Sequence, residues 1–224
     1  MCALALATVG VVGADVAHTA PVPSAGHVRA KVAFIGDSNI AFGATAIAEA
    51  LTERNEPYEL IDLASGGTSI RAQDCPAWTP CTTFNYWKLR LSEARAVPGA
   101  WVVNLGINDT WSAGTATSPG WVGYPAKIDW LMALLGSKPV IWTNLPCHIE
   151  PATLRTPCVA INQALAAAPA RWPNLTILDW RTVANAHPEW MIDFGKWYAV
   201  HYDAAGQTAW ATLVAKALDA RFPA

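Results

Sequence analysis

Short apolar runs alternate with helical patterns five times between Lys31 and Arg221, and few architectures accommodate that order. Strands are expected at Lys31 to Ile35, Tyr58 to Leu63, Ala100 to Leu105, Val140 to Leu145 and Leu175 to Asp179. Helices are expected from about Ala44 to Arg54, Phe84 to Ala96, Tyr124 to Leu135, Val159 to Ala168 and Ala204 to Arg221, with a helical turn near Val183. Pro57 and the Pro98-Gly99 pair punctuate the pattern. Crossovers between parallel strands are short and right-handed, so the alternation predicts a doubly wound parallel sheet with helices on both faces.

With 224 residues, 53% of them hydrophobic and 14% charged, the chain can bury one large core, and no repeat or linker divides it. The net charge of −2 and the lack of a basic run argue against a nucleic-acid partner.

The stretch from Met1 to Ala14 is apolar and too short to span a bilayer, and small residues and prolines follow from Ala17 to Ala25. Residues 1–25 therefore read as a secretory signal peptide and flexible arm, and 26–224 as one domain that works outside the cytoplasm. No Lys or Arg precedes the apolar stretch, so a floppy arm or an extra buried segment is the competing reading. Apart from Cys2, the cysteines form two close pairs, Cys75 with Cys81 and Cys147 with Cys158. Four cysteines allow three pairings, of which near-neighbour disulfides are the simplest. Neither pair has the spacing of a zinc site, and no metal is expected.

Lys31 to Ile35 ends in Gly36-Asp37-Ser38, which puts Ser38 at a strand-to-helix turn on the carboxyl edge of the sheet. Ligands bind at that edge in α/β proteins, and a helix start offers free N–H groups to a developing anion. Asp37 and Ser38 are also good N-caps, and on local sequence alone a structural turn is the stronger reading. The other strand ends change that balance. Gly66-Gly67 follows the second strand, Asn108 follows the third, and His201 precedes the last helix. Acyl transfer to serine needs a base for the hydroxyl proton and donors for the oxyanion. His201 would be the base. The N–H groups of Ser38 and Gly67 and the side-chain amide of Asn108 would be the donors.

In these blocks the chain resembles the SGNH hydrolases, or GDSL family: Gly36-Asp37-Ser38, Gly67, Gly106-Ile107-Asn108-Asp109, and His201 in His-Tyr-Asp-Ala-Ala-Gly-Gln, in the family's order. The resemblance implies a three-layer α/β/α flavodoxin-like sandwich with a five-stranded parallel sheet in the order 2-1-3-4-5. It also implies a serine esterase that needs no cofactor. Ser38 attacks an ester carbonyl, His201 carries the proton, and water or another alcohol resolves the acyl-enzyme. No Gly-x-Ser-x-Gly elbow is present, which argues against the α/β-hydrolase solution.

The family's aspartate three residues before the histidine is replaced by Tyr198. Asp193, a main-chain carbonyl or no group at all remains to orient His201; Asp203 stands where the last helix begins and reads as its N-cap. Asp37 is expected to hold its turn and Asp109 to order the loop after the third strand, with His148 and His187 in loop contacts. Trp111 and Trp121, in the loop after Asn108, could line an acyl or sugar pocket. The expected function is a secreted esterase that hydrolyses or transfers a small-molecule or glycan O-acyl ester, on a carbohydrate or a small lipid. Alternatives are a catalytically impaired binding module on the same fold and a flavodoxin-like phosphate binder, the latter weakened by a first loop with no lysine and no GxGxxG.

Overall fold

The computed structural model describes residues 30–52, 58–70, 99–115, 123–149, 151–192 and 199–223. Five strands, β1 (Lys31–Gly36), β2 (Glu59–Asp62), β3 (Ala100–Asn104), β4 (Val140–Thr143) and β5 (Leu175–Leu178), form one sheet in the order β2-β1-β3-β4-β5. All its pairs are parallel. The fold is the expected one.

Both faces of the sheet are covered, and alternate side chains divide between two cores. Ala33, Ile35, Trp101, Val103 and Trp142 pack toward α2 (Tyr124–Leu135) and α3 (Arg155–Ala167). Val32, Phe34, Ala100, Val102 and Ile141 pack toward α1 (Ser38–Thr52) and α5 (Ala204–Arg221). A short α4 (Trp180–Asn185) follows β5, with Asp179 as its N-cap.

Three element boundaries depart from the sequence reading. Helix α1 begins at Ser38 rather than near Ala44 because the Asp37 side chain accepts from Asn39 N at 2.9 Å and closes the first turn. Gly43 lies inside this helix, where a Cβ would stand 3.6 Å from Gln207 of α5. Helix α3 begins at Arg155 rather than Val159, with Pro157 in its first turn, where a missing N–H is tolerated. The segment before α5, read as an irregular loop, carries a two-stranded antiparallel ribbon of β6 (Met191–Ile192) and β7 (His201–Tyr202). The expected helix from Phe84 to Ala96 lies outside the described residues.

A disulfide joins Cys147 to Cys158 across the loop between β4 and α3. Asn162 braces the same loop, accepting from Leu145 N at 2.8 Å and donating to Leu145 O at 2.7 Å. Cys75 and Cys81 lie outside the described residues. Among the described residues no helix is long and apolar enough to cross a membrane.

Candidate active site

Ser38 is the first residue of α1, directly beyond the carboxyl end of β1. The chain turns so sharply there that a Cβ on Gly36 would run into the Ile40 side chain. On one side of β1, the N–H of Ser65 bonds to Gly36 O at 3.0 Å and holds the loop after β2 against the serine turn. Gly67 in that loop has φ +74°, a conformation that L side chains rarely adopt.

On the other side, β3 leads to a 3₁₀ turn beginning at Asn108. Its side-chain amide donates to Thr68 O at 3.0 Å. One amide hydrogen is thereby fixed, and the amide retains a second donor. Thr68 is itself held, its hydroxyl donating to Ser65 O at 2.7 Å. Asp109 orders more than its own loop. Its carboxylate accepts from Ile70 N at 2.8 Å, in the loop after β2, and from the Lys127 ammonium of α2 at 3.1 Å.

His201 reaches the same edge on the ribbon strand β7. Its Nε2 lies 2.7 Å from Ser38 Oγ, across 163 positions of sequence. A second bond runs beside it, from Asn39 Nδ2 to Val200 O at 3.1 Å. Neighbouring residues on α1 thus clamp neighbouring residues at the ribbon. Behind the ribbon, Tyr202 is edge-on to Trp180 at 5.3 Å, and Trp180 stacks on Trp190. Asp203 caps α5 by accepting from Gly206 N at 2.8 Å, as expected.

Burial sets the protonation of the site. His201 is 8% exposed, and loss of hydration holds its imidazole below the ordinary value of 6.5, which favours the neutral base. Asp37 is wholly buried, and loss of hydration pushes its carboxyl up to about 7 despite the bond from Asn39 N; the nearby Asp109 carboxylate pushes the same way. His187 stacks on Trp190 and pairs with Glu189 at 2.8 Å, while His148 is an exposed loop residue, so neither joins the site.

The structure brings Ser38, His201, Asn108 and the Gly66-Gly67 turn to one edge, as the motif order suggested. Asp193, Tyr198 and Trp121 lie outside the described residues. Sequence reasoning missed Asn39, Thr68 and Lys127. Only Lys127 carried a signal, standing at helical spacing among Tyr124, Ile128 and Leu131 on a buried face.

A five-stranded parallel sheet in the order 2-1-3-4-5 between two helical layers is the fold of the SGNH-type acylhydrolases, and at its carboxyl edge a serine hydroxyl is bonded to a buried imidazole beside an oriented amide. The chain belongs to the family described as a protein of unknown function (DUF459), whose model matches residues 31–196. Its fold is similar to that of the C-terminal catalytic domain of a Streptococcus pneumoniae peptidoglycan O-acetyltransferase carrying a methylsulfonyl adduct. That match has 20% identity and a TM-score of 0.57, and covers 87% of this chain and 95% of that one. A lipase/acylhydrolase from Enterococcus faecalis matches with 14% identity and a TM-score of 0.64, over 85% of this chain and 96% of that one. A catalytic mutant of an acetylxylan esterase from Geobacillus stearothermophilus matches with 14% identity and a TM-score of 0.59, over 88% and 95%. No curated protein sequence matches the chain.

Proposed function

We propose that the protein is an extracytoplasmic serine esterase acting on an O-acyl ester of a carbohydrate or other small alcohol. The observation that carries this reading is the 2.7 Å contact between Ser38 Oγ and His201 Nε2. In the first step Ser38 Oγ bonds to the ester carbonyl carbon and its proton passes to His201 Nε2. The charge on the carbonyl oxygen is met by the N–H groups of Ser38 and Gly67 and by the free donor of Asn108. The tetrahedral intermediate then expels the alcohol oxygen, which takes the proton back from Nε2. Water repeats the sequence on the acyl-serine and releases the acid; a second alcohol in its place would make the reaction a transfer.

An acetyl-type ester is favoured because proteins of this fold include an acetylxylan esterase and a peptidoglycan O-acetyltransferase. Export, with removal of residues 1–25 from a single remaining domain, is supported by the apolar stretch at the start of the sequence and by the Cys147–Cys158 disulfide. The impaired binding module is the less favoured reading. A decayed site has no need to keep an imidazole buried against the serine hydroxyl.

A fluorophosphonate probe tests the proposal. It should label the wild type at Ser38 and leave Ser38→Ala unlabelled, and p-nitrophenyl acetate should be hydrolysed above background by the wild type alone. Absence of both labelling and turnover would favour the binding module.

A further inference from the structure

Among the described residues, two large hydrophobic side chains are exposed, Phe42 at 56% and Trp111 at 37%. Single exposed aromatics need no explanation, but the positions of these two are linked to the site. Phe42 is four residues after Ser38 on α1, and residues at that spacing share a helix face. Trp111 is three residues after Asn108 on the 3₁₀ turn, where side chains three apart eclipse. Phe42 also touches the chemistry directly, its ring centre 5.1 Å from that of His201 with 52° between the planes.

That contact acquires a role if the protein is the esterase proposed above, and the role of Phe42 rests on that reading. The imidazole that accepts the serine proton must return it to the departing alcohol, so the alcohol oxygen leaves on the His201 side of the tetrahedral carbon. Whatever is attached to that oxygen emerges beside His201. Since His201 is itself almost wholly buried, the open surface there includes the Phe42 ring.

We propose that Phe42 is the specificity-determining residue for the alcohol half of the ester, and that this alcohol presents a flat face of C–H groups or π electrons to the ring. A pyranose ring and an aryl ring both have such a face; a short alkyl alcohol does not. Phe42 thus selects the leaving group, while the acyl group lies on the side of the carbonyl carbon away from it.

The test compares kcat/KM for methyl acetate, phenyl acetate and a mono-O-acetylated methyl pyranoside in the wild type, Phe42→Ala and Phe42→Trp. Replacing Phe42 by Ala should lower the preference for a ring-bearing ester over methyl acetate about tenfold, within the range that a lost ring contact produces. Trp should preserve that preference. A fall for the pyranoside alone identifies a sugar face, and a fall for phenyl acetate alone an aryl face. Equal losses on all three esters, or a changed preference only when acetyl is replaced by a longer acyl group, would overturn the inference and leave the esterase reading intact. No Ser38-dependent turnover of any of the three by the wild type would overturn that reading, and the inference with it.

Discussion

The Lys127 ammonium lies 3.1 Å from an Asp109 carboxylate oxygen, and both side chains are fully buried. The pair belongs to the site's scaffold, because Asp109 follows Asn108 and also accepts from Ile70 N in the loop that presents Gly67. Replacing Lys127 by Met leaves a buried carboxylate without its cation, which costs about 3–5 kcal/mol. The double change Lys127→Met with Asp109→Asn should recover much of that loss, since an amide oxygen still accepts from Ile70 N and both charges of the pair are removed together. Urea denaturation of both variants checks this. A single variant within about 1 kcal/mol of wild type would contradict it.

The positions of β1 to β5 and α5 were legible in the sequence because buried parallel strands and a long terminal helix have strong periodic signals. The loops that build the site were legible only as motifs. Gly36-Asp37-Ser38 and Gly106-Ile107-Asn108-Asp109 could be recognised, but their mutual support could not. The bonds from Asn108 to Thr68 and from Ile70 to Asp109 join residues 40 and 39 positions apart. Nor could the ribbon that carries His201 be read, because each strand is two residues long, with no room for alternation to show. The start of α1 was misplaced for a different reason: the alanine-rich run begins only near Ala44, whereas the first turn is closed by the Asp37 side chain accepting from Asn39 N, a contact that carries no apolar periodicity.

Asn108 spends one amide hydrogen on Thr68 O and keeps a second donor. If the second meets charge that develops only in the transition state, Asn108→Ala should lower kcat by about 10²- to 10³-fold with little change in KM. Steady-state kinetics on p-nitrophenyl acetate decide the point. A loss confined to KM would mean that the amide binds the ground-state ester instead.

Because burial holds the His201 imidazole below 6.5, it stays neutral to lower pH than an exposed histidine does. Protonation removes the acceptor for the Ser38 proton, so kcat/KM should fall as pH drops through a midpoint below 6.5. A profile of kcat/KM between pH 4.5 and 8 measures that midpoint, which is assigned to the free enzyme. An acidic limb centred above 6.5 would show that a partner stabilises the charged imidazole more than burial destabilises it.

Asp37 should make stability itself depend on pH, with a sign opposite to that of most carboxylates. Its carboxyl rises from 3.8 to about 7 in the folded protein, chiefly because burial strips its hydration, so the folded state holds a proton that the unfolded state has already released. Stability from this group is fully present below 3.8 and is lost as pH rises toward and through 7, by about 4 kcal/mol in total if the whole shift is realised. Asp37→Asn tests the point without emptying the turn. An amide oxygen can still accept from Asn39 N, and the other polar atom takes the place of an Oδ2 that has no hydrogen-bond partner among the described residues. The variant should resemble wild type near pH 4 and become progressively more stable than it between pH 5 and 8, as followed by denaturation midpoints at each pH. A constant difference between the two proteins across that range would mean that Asp37 has the same proton affinity folded and unfolded, and that its burial is compensated.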